Sequence, residues 1–392
     1  MSLPDVLVVG AGISGAAAAC FMARRGMRVR LVDRFHPAWG ASGRNPGFLW
    51  FQHKPAAHIA YYTAARSFAG ALAEEMPDYG FRASGGVLTW RDDAVAPLAT
   101  AHVADRQAAG IPCELLDRAA LREVCPALGP RVSGACWCPL DAWQDTARLV
   151  AHMVAEVEAR GGSVTAGADV TALLVSGDRC RGVRLSDGAD LLAGTVMLAT
   201  GPWTNHLLAP LGLSLPLRPV RFEAAETAGP AGFALGPVHC GQGLFHITMP
   251  EAFPDDCLHP AQRIDPAIRL TEQVAQRPDG RLVYGCAYRL DTTDDRPTVA
   301  GQGMAQAILP LNLPGMAGLA PGRAWAGIVA ETPDQLPVID RIGPEGLVLN
   351  ALNCNGNLTG AYAGHLAAGL VAGTPDPDLP RLSAARFDSP AP

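Results

Sequence analysis

The sequence predicts a mixed α/β (α+β) fold in which a parallel-sheet domain is interleaved with an antiparallel-sheet domain. Two observations predict this fold. The first is a strand, glycine turn, helix and second strand within residues 6–33, which is the order of a βαβ unit. The second is a change of pattern at 81–140 and again at 217–323, where short strands alternate with many proline, glycine and aromatic residues. Two such inserts in one α/β frame indicate a single second domain built from separated segments.

The N-terminal unit has the parts of a Rossmann-type dinucleotide-binding turn. The apolar run 6–9 predicts a strand that is buried on both faces, and an alanine-rich helix ends near Arg25 with Gly26 as its C-terminal cap. Between them, three spaced glycines permit a tight turn, the approach of a pyrophosphate and close packing of helix on strand. A tight turn without a ligand is the alternative interpretation. The candidate nucleotide-binding residues here are Gly10, Gly12, Ile13, Ser14 and Gly15.

The second strand, 28–33, ends in a carboxylate that could bind ribose hydroxyls. This residue is Asp33, which follows Gly15 by 18 positions. A second glycine-rich loop, GASGRNPG at 40–47, follows closely. Here the sequence resembles the flavin-dependent amine and amino-acid oxidoreductases of the D-amino-acid oxidase (DAO) family, which includes glycine and sarcosine oxidases. The resemblance implies FAD as the cofactor and assigns to it Asp33, Arg34, Ala41, Ser42, Arg44, Asn45 and Gly47.

The middle of the chain adds a further cofactor-binding stretch. A helix is predicted at 145–160, and short strands at 163–166, 169–176 and 179–186 form a small antiparallel meander. A strand at 195–199 then leads into the segment Thr-Gly-Pro-Trp, which is similar to the family's flavoprotein "ATG" segment. The residues that the resemblance assigns to FAD in this stretch are Val170, Thr200, Gly201 and Trp203.

Two C-terminal segments resemble the family's closing motifs. Residues 324–339 match its "WAGxRxxTPDxxPxIG" pattern, and a glycine- and asparagine-rich loop opens a helix that runs to Ala372. The resemblance places the N-terminus of this helix against the flavin N1/O2 edge, where its positive dipole end would stabilise the charge of the reduced flavin. The residues implied are Gly327, Asn355, Gly356, Asn357, Leu358 and Thr359.

These segments divide the chain into two domains and a tail. The division predicts an FAD-binding domain at 1–80, 141–216 and 324–375, a substrate domain at 81–140 and 217–323, and a loose tail at 376–392. In the family the antiparallel sheet of the second domain covers the isoalloxazine ring.

The chain departs from the family pattern at three positions. Gly327 stands where some sarcosine oxidases carry a flavin-linked cysteine, so we expect non-covalent FAD. Val329 replaces the arginine that holds a substrate carboxylate in glycine oxidase-like members, which leaves Arg221 or Arg289 as candidates for that role. Leu358 replaces the lysine that activates oxygen in sarcosine oxidases. The remaining candidates for catalysis are Lys54, the only lysine, as a cation near the ring, and His53, which could orient an amine.

Composition excludes several other classes of protein. The 392 residues are 49% hydrophobic and carry a net charge of -6, which disfavours disorder and nucleic-acid binding. The uncharged stretch 6–23 contains the three glycines of the turn and lacks a basic start, so we expect neither a signal peptide nor a membrane span. Ten cysteines without a CxxC pair indicate buried thiols in a cytoplasmic protein, and no spacing indicates a metal site.

The predicted function is FAD-dependent oxidation of the C–N bond of an amino acid or secondary amine. A hydride passes to flavin N5 and an imine is formed, with O2 or another acceptor reoxidising the flavin. Homo- or hetero-oligomers are both open. Two alternatives are an FAD-dependent 2-hydroxy-acid dehydrogenase and the flavin subunit of a hetero-oligomeric sarcosine-, opine- or hydroxyproline-type oxidoreductase, inactive without its partner.

Overall fold

The computed structural model describes residues 3–351, 355–374 and 376–387. Within these ranges the chain forms nineteen strands: β1 (Val6–Val9), β2 (Val29–Asp33), β3 (Phe48–Leu49), β4 (Gly86–Trp90), β5 (Glu114–Leu116), β6 (Gly134–Cys138), β7 (Ala142–Trp143), β8 (Ser163–Ala166), β9 (Val170–Ser176), β10 (Arg179–Leu185), β11 (Asp190–Leu192), β12 (Thr195–Leu198), β13 (Arg218–Thr227), β14 (Val238–Cys240), β15 (Arg269–Gln276), β16 (Leu282–Leu290), β17 (Pro321–Glu331), β18 (Val338–Arg341) and β19 (Leu347–Ala351). The same ranges contain twelve α-helices: α1 (Ile13–Arg24), α2 (Ala41–Arg44), α3 (Ile59–Glu75), α4 (Ala96–Ala108), α5 (Arg118–Val124), α6 (Thr146–Ala159), α7 (Thr204–Leu208), α8 (Gly243–Thr248), α9 (Pro260–Arg263), α10 (Val299–Asn312), α11 (Gly356–Val371) and α12 (Leu379–Leu382).

A six-stranded sheet with the order β18-β19-β12-β1-β2-β8 forms the first layer. Its central strand β1 is buried at every position and pairs in parallel with β12 and β2. Every pair of adjacent strands in this sheet is parallel except β18 with β19, which is antiparallel and lies at one edge. The apolar run of β1 and the alternating pattern of β2 therefore build the parallel sheet that the sequence predicts.

Helix α1 is buried along almost its whole length and packs against α11 and α6. Small residues allow the close contact with α11, because a Cβ atom on Gly360 would lie 2.5 Å from Ile13 and one on Gly364 would lie 2.4 Å from Ala17. Ile13 meets Gly360, and Ala17, four residues later on α1, meets Gly364, four residues later on α11. The two helices therefore run in the same direction where they pack. The N-termini of α1 and α11 therefore lie at the same end of the layer.

An eight-stranded sheet with the order β17-β13-β16-β15-β14-β4-β6-β5 forms the second layer. Its pairs are antiparallel except β14 with β4, so strands from 81–140 and from 217–323 lie in one sheet. The mixed α/β fold class with its separate antiparallel sheet is thus confirmed. The predicted domain boundary at 324 requires a correction, because it cuts β17, which pairs with β13 along its length.

Two local predictions are wrong. Strand β8 does not join the antiparallel meander, since α6 carries the chain back so that β8 runs parallel to β2; the meander consists of β9, β10 and β11. Residues 376–387 are not loose. The Leu382 side chain is fully buried there, and the Arg386 guanidinium lies 2.6 Å from the Asp334 carboxylate. The last five residues of the predicted tail, 388–392, lie outside the described residues.

Nine of the cysteines fall in the described part of the chain. Each is a free thiol, and all are buried except the half-buried Cys257. Cys354 lies outside the described residues. No helix among the residues described is long and apolar enough to cross a membrane, and the same residues bring no three metal-binding side chains together.

Candidate active site

A cavity of about 710 Å³ opens beyond the carboxyl ends of β1, β2 and β12, and we call it the large cavity. In an open α/β sheet this edge is where nucleotides bind. Most of the residues predicted to bind the cofactor line it. They are Gly10, Gly12, Ile13, Ser14, Asp33, Arg34, Ala41, Ser42, Asn45, Val170, Thr200, Gly201, Trp203, Gly356 and Asn357.

The turn between β1 and α1 requires glycine for steric reasons. Gly10 has a φ of +102°, and a Cβ atom there would lie 2.4 Å from the carbonyl oxygen of Ala199. Gly12 is the N-cap of α1 and supplies no side-chain acceptor to the helix, while the Ser42 hydroxyl accepts a hydrogen bond from the Ile13 N–H at 2.9 Å. Backbone N–H groups at a helix start that lack a side-chain cap are suited to an anion such as a pyrophosphate.

The carboxylate at the end of β2 is held by backbone N–H groups. Asp33 accepts from Ala11 at 2.7 Å through one oxygen and from Phe35 at 2.9 Å through the other. Each carboxylate oxygen can accept a second hydrogen bond, which leaves capacity for ribose hydroxyls. Arg34 lies 4.1 Å from the centroid of the Trp203 ring, so these two predicted FAD-binding residues also contact each other.

A second cavity of about 200 Å³ adjoins the first, and we call it the small cavity. It lies between α2, the face of β13 and β16, α8 and the start of α11. The two cavities share four lining residues, which are Ala41, Asn45, Val329 and Asn357. Much of the small cavity's wall is aromatic or apolar, formed by Phe48, Trp50, Phe222, Leu244, Ile247 and Tyr288. None of these was predicted from the sequence, although the alternation of apolar residues on β13 and β16 is a usable signal for one lining face.

Lys54 and His53, two of the four predicted catalytic residues, line the small cavity. The Lys54 side chain is buried, donates a hydrogen bond to Asn355 Oδ1 and lies 5.7 Å from the centroid of the Tyr62 ring. Burial, together with the nearby charge of Lys54, holds the pKa of His53 well below its ordinary value. His53 is therefore a neutral imidazole at neutral pH.

A buried carboxylate that the sequence did not reveal supports this segment. Asp141 is fully buried and accepts hydrogen bonds from the backbone N–H of Phe51 at 2.6 Å and from that of Gln52 at 3.1 Å, while the Gln52 amide donates to it at 2.6 Å. Burial raises the pKa of Asp141 to about 6. Asp141 thereby fixes the residues that lead directly into His53 and Lys54. A single aspartate in a loop carries no sequence pattern that would have identified it.

The two predicted arginines lie on the wrong face of the sheet. Arg221 on β13 and Arg289 on β16 are paired neighbours, whereas Phe222 and Tyr288 beside them line the small cavity. Successive side chains on a strand point to opposite faces. Arg221 lies 3.0 Å from the Glu223 carboxylate, and Arg289 forms a 3.7 Å ion pair with Asp265. Both arginines point away from the cavity, which corrects the prediction that one of them binds a substrate carboxylate.

Seven other predicted cofactor residues lie outside the lining of the large cavity. Four of them line the small cavity: Arg44, Gly327, Asn355 and Leu358. Gly15, Gly47 and Thr359 line neither cavity. A Cβ atom on Gly15 would lie 1.9 Å from Gly10 O, and one on Gly47 would lie 2.4 Å from Gln144 O. The Thr359 hydroxyl donates within its own helix to Asn355 O at 3.1 Å. These three residues support the site by close packing or a local hydrogen bond, and their assignment to FAD binding stays a prediction.

The comparison with protein-family models identifies the fold family. The model "DAO: FAD dependent oxidoreductase" matches residues 5–370. The chain belongs to the DAO family. FAD is the cofactor of this family, and the cavities fit it: a glycine turn at a helix start faces the large cavity, and the small cavity continues from its end.

Individual relatives of this DAO protein agree with that assignment. Glycine oxidase from Pseudomonas aeruginosa is 27% identical over 381 residues, which cover 94% of each chain. D-amino acid dehydrogenase from Allorhizobium ampelinum is 24% identical over 88% of this chain and 89% of its own. Among solved structures, glycine oxidase from Geobacillus kaustophilus superposes with a TM-score of 0.84 at 23% identity, covering 98% of both chains.

Proposed function

We propose that this DAO protein oxidises the C–N bond of a small amino acid or secondary amine to an imine. The observation that carries the proposal is the junction of the two cavities at Ala41, Asn45, Val329 and Asn357. A small molecule in the small cavity would lie directly against the end of a dinucleotide in the large one. When bound, FAD supplies the acceptor for a hydride at N5. The relatives named for glycine and D-amino acids support this substrate class.

The walls of the small cavity select the neutral form of an amine. A volume of about 200 Å³ whose wall is in large part aromatic and apolar disfavours a charged ammonium group relative to bulk water. His53 is neutral, and its Nδ1 atom is buried without a hydrogen-bond partner among the described residues. Because His53 lines the small cavity, its neutral imidazole is available there to orient a substrate.

Lys54 supplies the positive charge for a substrate carboxylate. Among the described residues that line the small cavity, Lys54 and Arg44 are the only lysine or arginine. Arg44 lies 2.6 Å from the Asp295 carboxylate and also donates to Ala326 O at 3.1 Å, so its charge is already compensated. The buried ammonium of Lys54 can form a charge-assisted hydrogen bond with a carboxylate, the strongest type of contact that this cavity offers. The same charge is the candidate for assisting reoxidation by oxygen.

The cofactor is held without a covalent bond in this proposal. Gly327 supplies no nucleophile where it contacts the small cavity. Cys286 lines the same cavity, but burial raises the pKa of its thiol to about 12, so the thiol remains protonated and unreactive. Binding therefore depends on the turn after β1, Asp33 and the start of α11.

An anaerobic panel tests the proposed function. The purified flavoprotein is mixed without oxygen with glycine, N-methylglycine, D- and L-amino acids and 2-hydroxy acids, and flavin bleaching is followed by absorbance. We expect an amino acid or N-alkyl amino acid to bleach the flavin; admission of air then identifies an oxidase by rapid recovery of the colour. Bleaching by hydroxy acids alone would show that the enzyme oxidises the C–O bond of a hydroxy acid and not the C–N bond of an amine. No bleaching by any compound, together with a larger native complex in the source cell, would contradict an independent enzyme and favour a partner-dependent subunit.

A further inference from the structure

A single carboxylate behind the small cavity connects two of its walls. Glu272 on β15 is fully buried, and its neighbours Thr271 and Gln273 both line the small cavity. Glu272 itself is not among the lining residues. Its carboxylate lies behind the wall and cannot contact a substrate directly.

Donors from three separate segments converge on this carboxylate. Arg91, just after β4, donates through both terminal nitrogens at 2.5 and 3.1 Å, so that each carboxylate oxygen is engaged. Asn312 at the end of α10 donates its amide at 2.9 Å, and the backbone N–H of Gly243 at the start of α8 donates at 3.2 Å. Fork-to-fork pairs of this type fix orientation as well as charge.

The backbone at Glu272 is strained. Its φ is +56°, in the left-handed region that non-glycine residues rarely adopt. The pairing of β15 with β16 shifts here, since Leu270 is opposite Ala287 and Gln273 is opposite Gly285. Such an irregularity re-aims the neighbouring side chains, and strain of this kind persists only where surrounding contacts hold it in place. The contacts that hold it are those of the buried carboxylate.

A second wall of the small cavity depends on the same group through α8. This helix contributes Leu244, Ile247 and Thr248 to the lining, and its first N–H is bound by Glu272. The approach is close, because a Cβ atom on Gly241 would lie 2.1 Å from Glu272 Oε2. Both the β15 wall and the α8 wall are therefore attached to one ion pair.

We propose that Glu272, paired with Arg91, is a positioning residue that sets the shape of the small cavity and thereby the affinity for substrate. The proposal rests on the proposed function, in which the small cavity holds the substrate. Glu272 acts through Thr271, Gln273 and α8, and it takes no part in electron transfer.

The substitution Glu272→Gln tests this role. The side chain keeps its size, but the charge is lost and the Arg91 guanidinium remains buried without its counterion. We expect KM for the substrate to rise about tenfold or more, because a charge-assisted contact that fixes both walls is lost. The limiting rate of anaerobic flavin reduction and the dissociation constant of FAD are expected to stay close to the wild-type values.

A readout without substrate separates this proposal from the proposed function. Hydrogen exchange of the backbone amides in 241–248 and 269–276 is expected to accelerate in Glu272→Gln, whereas exchange in 6–33 is expected to be unchanged. If no compound bleaches the wild-type flavin, the proposed function fails, and the exchange experiment still decides whether Glu272 holds the two walls. Unchanged exchange in both segments would overturn the positioning role.

Two further variants separate positioning from stability. Glu156→Gln removes one of the two carboxylate partners of Arg24, the one whose 2.6 Å ion pair joins α6 to α1 away from the small cavity, and is expected to leave KM unchanged. The double variant Arg91→Met/Glu272→Gln removes the unpaired charge, so stability should recover while KM stays high. A double variant with wild-type KM, or a single variant that weakens FAD and substrate equally, would overturn the proposal.

Discussion

The ammonium group of Lys54 donates a hydrogen bond to the side-chain oxygen of Asn355, the residue at the N-cap position of α11. The contact joins residues that are 301 positions apart in the chain. It places the only lysine beside the positive end of a helix dipole, at the wall of the small cavity. Both features favour negative charge in this cavity, whether on a substrate carboxylate or on a reduced flavin.

Removing the charge of Lys54 should weaken the binding of carboxylate substrates. We expect Lys54→Met to raise KM for the best amino acid about 10- to 100-fold, since a hydrogen bond to a charged group contributes about 1.5–3 kcal/mol. The measurement is anaerobic flavin reduction at increasing substrate concentration. Arg289→Met is the matched control and should leave KM unchanged, because Arg289 lies on the opposite face of its strand. An unchanged KM with slower reoxidation by air would instead assign Lys54 to oxygen handling.

A side chain at Gly12 should impair FAD binding. A Cβ atom there would lie 3.2 Å from the Ser42 hydroxyl, which binds the Ile13 N–H, and the methyl groups of valine would extend into the space for the pyrophosphate. We expect Gly12→Val to raise the dissociation constant of FAD at least about tenfold, equivalent to about 1.4 kcal/mol. The return of free-flavin fluorescence on dilution measures it.

The matched control for that experiment is Gly303→Ala. Gly303 lies on the exposed face of α10, where an added Cβ atom would meet nothing within 4 Å. This variant should leave FAD affinity unchanged and stabilise the protein by about 0.5–1 kcal/mol, because alanine has the higher helix propensity. Wild-type FAD affinity in Gly12→Val would contradict the assignment of the turn.

Acid should release the flavin. After precipitation with trichloroacetic acid we expect the yellow colour in the supernatant, since Gly327 offers no nucleophile and the buried Cys286 thiol stays protonated. Absorbance of the supernatant and of the redissolved pellet measures the partition. Colour that remains with the pellet would show a covalent link.

The Arg24–Glu156 ion pair should make stability depend on pH in acid. The hydrogen bond from Arg24 lowers the pKa of Glu156 from its ordinary 4.5 to about 2. A carboxyl group whose pKa is lower in the folded state contributes stability above its unfolded pKa and loses that contribution as pH falls through the folded value. Glu156→Gln should therefore be less stable than wild type at neutral pH.

The difference between the two proteins should shrink from pH 4.5 down to about 2. Urea unfolding of wild type and variant across this range measures it, with loss of native tryptophan fluorescence as the signal. A difference that stays constant throughout would show that the charge of Glu156 makes no contribution.

Local sequence patterns were sufficient for the cofactor half of the molecule. The turn at Gly10 and Gly12 and the carboxylate at Asp33 lie within 24 residues, so spacing alone carries their geometry. The small cavity could not be assembled in this way. Phe222 and Tyr288 come from strands far apart in the chain. A strand residue one position away points to the opposite face of the sheet, as Arg221 and Arg289 do, so an error of one position in the assignment replaces a lining residue with one that points outward.

The sequence by itself determined the α/β fold class and the βαβ unit, because these depend on short-range order around glycine, and its resemblance to the DAO family implied the FAD cofactor. Only the tertiary structure decided which face of β13 and β16 meets the cavity, that Asp141 fixes the segment before Lys54, and that Glu272 connects two walls. Strand register and contacts between remote segments are set when the whole chain buries its apolar surface and pairs its buried charges. A local sequence pattern does not contain that information.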